Sequence, residues 1–326
     1  MGFALCVLGC GQFARTFAAG VAPLRGEIDL FFASRDLKRA QAYSESLQGC
    51  GAYGSYEEPA ADPKIDALYV CTPHYLHLEH VVLAASAGKH VLVEKPIACD
   101  LKAAAQIIED SSKAGITLMV AENVRFMAAV RRCKEIADSG TLGDLRLVQL
   151  QEEAPFRPGG WRSNAGLNGG GVFIDGGIHK VHFLRYLLGE PSHIYATTLP
   201  PAMSGHEGED GLVMMARWSN GAVGLINHSW VSSSRTTPRW VSVSGTKGRI
   251  YLEICESWLR LEYDNSEETI QFDEDHSGIT PMVREFLSSI EEGREPETSG
   301  QEGLRDLALV LKAYDSIQTG TSLHLP

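Results

Sequence analysis

Three side chains in this chain have the types and positions needed to move a proton and to stabilise charge on an oxygen. Lys95 sits in Glu94-Lys95-Pro96, directly after the apolar run His90-Val91-Leu92-Val93. That run reads as a strand, so the lysine falls at a carboxyl-terminal strand edge, where open α/β sheets bind ligands. Pro96 biases Lys95 to extended backbone and removes a donor. An ammonium held there can bind a substrate hydroxyl and stabilise the alkoxide character that develops as hydride leaves. The same position also fits a surface lysine ahead of a turn proline. Asp175 and His179 in Asp175-Gly176-Gly177-Ile178-His179 are four apart, so on a helix they share a face, and His182 follows three further on. A carboxylate that orients an imidazole makes an acid/base pair for use near neutral pH. Two other readings fit the spacing. Asp, His and His are metal-ligand types, although no dedicated partner set accompanies them and no metal is expected. A capped helix start with ordinary, partly buried histidines fits as well.

These groups need elements to position them. Gly9-Cys10-Gly11-Gln12-Phe13-Ala14 lies between the apolar run 3–8 and a helical stretch opening at Arg15. Gly9 permits a tight turn, Gly11 lets backbone approach a pyrophosphate, and Ala14 allows close helix–strand packing. The helix N-terminus then offers N–H groups to phosphate. Gln12 and Phe13 share that turn. About 20 residues on, where a ribose selector is expected, stands Ser34-Arg35-Asp36. An arginine there pairs with a 2′-phosphate, which favours NADP; Asp36 keeps NAD open. Thr72-Pro73-His74-Tyr75-Leu76-His77 follows another strand at the same sheet edge. Thr72 and Pro73 are expected to line the nucleotide channel, and His77 to cap or touch phosphate; the segment also fits a plain strand-to-helix turn.

Residues 1–120 alternate strand-like runs (3–8, 28–34, 66–71, 90–93, 116–120) with helical stretches, which predicts a doubly wound parallel sheet. From about 145 the pattern becomes eight strand candidates joined by turn signals. It predicts a large antiparallel sheet, with one helix over about 171–188 and a final helix over 303–319 that can dock back on the first domain. The division is 1–122 for dinucleotide binding and 123–326 for substrate and oligomer contacts. The Gly- and Pro-rich segment 155–171 reads as a functional loop. The acidic run Asp273-Glu274-Asp275 reads as solvated surface. At 326 residues with a net charge of −12, binding to nucleic-acid phosphates or to an anionic membrane surface is disfavoured. No apolar run is long enough for a signal core or a span. Seven cysteines without a C-x-x-C pair read as reduced thiols of a cytoplasmic protein.

Taken together, GCGQFA at 9–14, TPHYLH at 72–77, GKHVLVEKP at 88–96, AENVRF at 121–126 and GGGVFIDGGIHKVHFLRYLLGEP at 169–191 resemble the Gfo/Idh/MocA oxidoreductase family, in family order and over essentially the whole chain. The resemblance implies a Rossmann domain followed by an open antiparallel sheet, and a homodimer or homotetramer formed through that sheet. It implies a catalytic Lys95 with Asp175 and His179 as acid/base pair. It places Asn123, Arg125, Trp161 and Arg162 along the nicotinamide or substrate. Many relatives carry Asp where this chain has His182, a position that often touches a polyol, so no particular sugar follows. The segment 33–40 resembles NADP-using members. The implied activity is hydride transfer between NADP or NAD and a secondary alcohol of a sugar, polyol or cyclic diol. The rival readings are a glycosidase that oxidises its substrate transiently, and a dinucleotide-binding regulator without catalysis.

Overall fold

The computed structural model describes residues 2–231, 240–253, 258–272 and 277–325. The acidic run Asp273–Asp275 and Cys255 lie outside them. The chain divides into two compact units, one of residues 1–123 and 279–305, the other of 124–278 and 306–326. Segment 279–305 thus belongs to the first unit, whereas a single boundary at 122/123 assigns it to the second.

In the first unit, β1 (Phe3–Leu8) leads into α1 (Gln12–Gly20), followed by β2 (Ile28–Ala33), α2 (Leu37–Leu47), β3 (Gly51–Tyr53), α3 (Glu57–Ala61), β4 (Ala67–Val70), α4 (His77–Ser86), β5 (His90–Val93), α5 (Leu101–Ala114) and β6 (Leu118–Val120). The six strands form one parallel sheet in the order β3-β2-β1-β4-β5-β6. Strands β1, β4 and β5 are buried almost throughout, which is why they read as unbroken apolar runs rather than alternating ones. Asp36 and Asp100 cap α2 and α5 by accepting from N–H groups of the first turn. Gly115 closes α5 in the left-handed conformation. β3, only three residues long and half-buried at the sheet edge, adds a strand that the periodicity does not assign.

The second unit opens with α6 (Ala128–Asp138) and β7 (Leu145–Glu153). Next come α7 (Ala165–Asn168), a π-helical turn Phe173–Gly177 and α8 (Ile178–Leu188). Then follow β8 (His193–Thr198), β9 (Gly211–Arg217), β10 (Val223–Ser229), β11 (Trp240–Gly245), β12 (Gly248–Glu253), β13 (Trp258–Tyr263) and β14 (Ser266–Gln271). The chain continues through α9 (Ile279–Glu292), α10 (Gly300–Thr319) and β15 (Leu323–His324). Nine strands make one sheet, β14-β13-β12-β11-β7-β10-β9-β8-β15. Its pairs are antiparallel except β7 with β10. The buried residues Ile194, Ala196, Met214, Ala216 and Ile226 alternate with more exposed neighbours such as Tyr195 and Met215, so one face packs inward and the other is open. Segment 155–171 is not a bare loop: it holds a 3-10 turn, Gly160–Ser163, and α7.

Among the described residues, no helix is long and apolar enough to cross a membrane. No group of three or more His, Cys, Asp or Glu among them is arranged to hold a metal ion.

Candidate active site

In the first unit the candidate residues gather at the carboxyl ends of β1, β4 and β5. Gly9 has φ +105°, and a Cβ there would lie 2.7 Å from the Cys71 carbonyl oxygen, so only glycine lets the turn after β1 pass beside the turn after β4. A Cβ on Gly11 would meet nothing within 4 Å. No side chain caps α1 at Gly11, which leaves the first N–H groups of the helix, on Gln12 and Phe13, as donors for an anion. That donor set fits the pyrophosphate of a dinucleotide.

The ribose end is clearer in the structure than in the sequence. The Asp36 carboxylate accepts from Lys38 N at 3.0 Å and Arg39 N at 3.4 Å, so it serves α2 as its N-cap. Ser34, buried, accepts from Asp36 N at 3.2 Å. The Arg35 guanidinium bears on the Tyr56 hydroxyl, although burial outweighs it and raises that phenol. Arg15 stacks on Tyr43 at 4.2 Å, and the Tyr43 hydroxyl donates to Gly11 O at 3.2 Å. The Arg15 and Arg39 guanidiniums both bear on the Cys10 thiol in the glycine turn, although burial outweighs them and pushes that thiol up to about 11. Three arginines thus cluster at one end of a strongly acidic chain.

Thr72 and Pro73 lie in the turn just after β4. Thr72 Oγ1 meets His80 Nδ1 at 2.9 Å. His77 is fully buried, with Nδ1 2.9 Å from Pro96 O and Nε2 3.0 Å from Thr72 O. Its ring therefore ties the turn after β4 to the turn after β5, and the expected phosphate contact gives way to this brace. Carbonyl contacts favour a protonated ring, but burial outweighs them and holds His77 down at about 4. Glu94 accepts from the Tyr69 hydroxyl, and the Tyr69 ring stacks on Phe17 with centroids 3.9 Å apart. Burial raises the Tyr69 phenol well above its ordinary value, so it stays a donor to Glu94. Lys95, half-buried, follows directly and precedes buried Pro96.

In the second unit Asp175 is 3% exposed and sits in the π-helical turn, while half-exposed His179 lies in the first turn of α8. The helix they share is therefore not a uniform α-helix; single π turns of this kind recur at functional sites. The Asp175 carboxylate accepts from Arg162 Nε at 2.8 Å. Arg162 also stands over the Trp161 ring at 4.8 Å, so the 155–171 segment reaches the motif helix through this pair. Arg125 stacks on Tyr186 at 4.3 Å. Asn123, half-buried, opens the 3-10 turn Asn123–Phe126 that leads to Arg125.

His182 departs from its expected substrate role. It is 2% exposed, and its Nδ1 lies 2.7 Å from Asp306 Oδ2. Asp306 also accepts from Arg185 Nη1 at 2.5 Å, and Arg185 pairs with Glu190. The ring is therefore an interior link from α8 to α10. Directly beyond His179, Lys180 turns inward and forms a buried ion pair with Glu152 on β7. His228 Nδ1 is 3.5 Å from the same carboxylate, and its Nε2 is 3.2 Å from Val172 O. None of Tyr69, Arg15, Arg39, Glu152, Lys180 or His228 stands out in sequence, because their partners lie far along the chain.

His77, His80 and His228 share a consequence for stability. Burial is the largest cause in each case and pushes all three to about 4, against 6.5 for a free ring. The unfolded chain therefore binds more protons than the folded one between those values. Stability from these rings is fully present above about pH 6.5 and is lost as pH falls towards 4, on the order of 3 kcal/mol per ring. Urea unfolding from pH 7 to pH 4 is expected to show this fall, and His80→Gln to make it shallower. A midpoint independent of pH over that window would contradict it.

Two family models match successive parts of the chain. The Oxidoreductase family, NAD-binding Rossmann fold, matches residues 3–122, and the GFO/IDH/MocA C-terminal domain matches 130–251. The chain belongs to the GFO/IDH/MocA family. Like other chains of that family, it is an NAD(P)-dependent oxidoreductase acting on CH–OH groups. A D-xylose 1-dehydrogenase (NADP(+)) of Haloferax volcanii is 32% identical over 90% of this chain and 90% of its own length. A myo-inositol 2-dehydrogenase of Thermotoga maritima is 27% identical over 98% and 97%. A levoglucosan dehydrogenase solved with NADH and levoglucosan shares the fold at a TM-score of 0.91, with 20% identity over the full length of both chains.

Proposed function

We propose that this enzyme transfers hydride between NADP and a secondary alcohol or ketone of a sugar, polyol or cyclic diol. The observation that carries this reading is buried Asp175, anchored by Arg162, four residues before a half-exposed imidazole. When bound, the nicotinamide supplies the hydride acceptor or donor. In oxidation, His179 takes the hydroxyl proton, and the Asp175 carboxylate stabilises the imidazolium that forms. Lys95 supplies the cation that offsets charge developing on a substrate oxygen. Arg162 and Trp161 face the substrate from the 155–171 segment, with Arg125 and Asn123 as further lining. Relatives named for xylose and inositol support the substrate class. The open face of the nine-stranded sheet, with exposed Tyr195 and Met215, supports a homodimer or homotetramer.

The preference for NADP rests on the N-cap. One Asp36 oxygen is engaged by α2, and Arg35, Arg15 and Arg39 supply positive charge for a 2′-phosphate. Arg35→Ala is expected to weaken NADPH binding by roughly ten- to a hundredfold, the range for a lost charged hydrogen bond. NADH binding should change little. Fluorescence titration reads both, and an equal loss for the two cofactors would assign Arg35 to something other than the 2′-phosphate.

The function itself is tested with a panel of sugars, inositols and cyclic diols, each assayed with both nucleotides by absorbance at 340 nm. Net reduction of NADP⁺ by at least one member is the expected result. Tight nucleotide binding with no net absorbance change, but with cleavage of a glycoside, would replace the dehydrogenase reading.

A further inference from the structure

The helix that carries Asp175 and His179 has no capping side chain of its own. The four N–H groups at its entry, residues 171–174, nevertheless find acceptors, and two residues provide them. Gly171 N donates to Tyr314 Oη at 3.3 Å and Ile174 N to the same oxygen at 3.2 Å. Val172 N donates to Glu209 O at 2.9 Å and Phe173 N to Glu209 Oε1 at 2.8 Å. The Tyr314 hydroxyl then donates its proton to Glu209 Oε1 at 3.0 Å. The phenol is saturated: it accepts twice and donates once. The carboxylate also sits at the positive end of the helix dipole.

Fit is tight enough to explain the glycine run before the motif. A Cβ on Gly171 would lie 2.1 Å from Glu209 Oε2, and one on Gly170 would lie 2.6 Å from Tyr314 Oη. The π-helical turn with Asp175 begins inside this capped stretch, at Phe173. Glu209, Tyr314 and the motif helix all belong to the second unit.

We propose that Glu209 and Tyr314 are positioning residues that fix the start of this helix in the register that presents Asp175 to Arg162 and sets His179 one turn on. This rests on the reading of Asp175 and His179 as the proton-transfer pair. Without the cap, the orphan N–H groups would be satisfied by a shifted first turn, and Asp175 would move with it. A displacement of about 1 Å at a reacting group can cost on the order of a hundredfold in rate.

Tyr314→Phe keeps the ring and removes the two acceptor sites; Glu209→Ala removes the carboxylate, and Glu209→Gln keeps one oxygen acceptor. For Tyr314→Phe and Glu209→Ala, kcat is expected to fall by roughly ten- to a hundredfold. Nucleotide Kd should stay within about twofold, because the N–H donors for the pyrophosphate, on Gln12 and Phe13, take no part in the cap. The acid limb of the kcat–pH profile should shift, Glu209→Gln should recover most of the rate, and amide exchange at 171–174 should accelerate. In a His179→Ala background the Tyr314→Phe loss should largely vanish, since the group being positioned is gone. Wild-type kcat and pH profile in Tyr314→Phe and Glu209→Ala, with only a lower melting temperature, would make the cap purely structural. So would an undiminished Tyr314→Phe loss on top of His179→Ala. If Tyr314→Phe fails to fold, the comparison of Glu209→Ala with Glu209→Gln decides on the same two readouts: a loss in Ala that Gln recovers supports the proposal, and wild-type values in both overturn it. If His179→Ala alone leaves turnover intact, the proton-transfer reading fails instead, and the accelerated exchange at 171–174 still reports the cap.

Discussion

Lys95→Met is expected to lower kcat by roughly a hundred- to a thousandfold, the range for removing one donor from a developing oxyanion. Methionine preserves much of the stem that the half-buried site accommodates, so the change removes charge and hydrogen bonding more than packing. The surroundings of Lys95 hold its backbone firmly. Glu94 before it is tied to buried Tyr69, and Pro96 after it is buried and offers its carbonyl to His77. The loss should therefore appear in kcat and kcat/KM together, the signature of an interaction made in the transition state. Nucleotide binding should stay within a few-fold, because the pyrophosphate donors belong to the turn at 9–13. Single-turnover reduction of NADP⁺ in the presence of saturating substrate measures the step directly. Turnover at the wild-type level would remove Lys95 from the reaction. A large loss of nucleotide affinity would make it a cofactor ligand only.

How much of this was legible in sequence follows from how far each partner lies along the chain. The glycine turn, the strand that precedes it and the helix that follows are one local unit, and β1, α1, β4 and β5 form where the periodicity predicts. The strands of the second sheet read well for the same reason, since hairpin turns join many of them. What local pattern could not reveal was the parallel pairing of β7 with β10, which links strands some 75 residues apart. Nor did it reveal α6 and α9, whose buried faces alternate with charged residues, or the two-residue β15.

At the site, the residue types were legible and their partners were not. Asp175 and His179 were recognisable as a spaced pair, yet the π turn is invisible in spacing alone, because four residues suit either helix type. Asp36 read as a possible ribose ligand because nothing in its neighbours states that its carboxylate caps α2. His77 and His182 sit on helices at positions as compatible with a ligand as with an interior tie. Only the carbonyl of Pro96 and the carboxylate of Asp306, 124 residues beyond His182, decide between the two. The run Gly169-Gly170-Gly171 was the one sequence signal of the cap, since three glycines before a helix imply a close approach by something. It could not name Glu209 or Tyr314.

His179→Ala is the second large effect, expected to reduce kcat for oxidation by roughly a hundred- to ten-thousandfold, as for loss of a general base. The sign of its pH dependence follows from the chemistry. Oxidation needs the neutral ring to accept the hydroxyl proton, so wild-type oxidation falls as pH drops and the imidazole protonates. Reduction needs the protonated ring as donor and falls in the opposite direction. In the variant both limbs owed to this group should disappear, leaving a rate that rises with hydroxide in the oxidative direction. Added imidazole should restore part of the rate, because deletion of the ring leaves room beside Asp175, which Arg162 still holds through its Nε contact of 2.8 Å. A deuterated substrate shows whether hydride transfer limits the rate under each condition, and the profile is interpretable where it does. Unchanged pH limbs in His179→Ala would place the proton on another group. Loss of both limbs in Arg162→Ala with His179 intact would show instead that the guanidinium, by holding Asp175, sets the protonation that the reaction depends on.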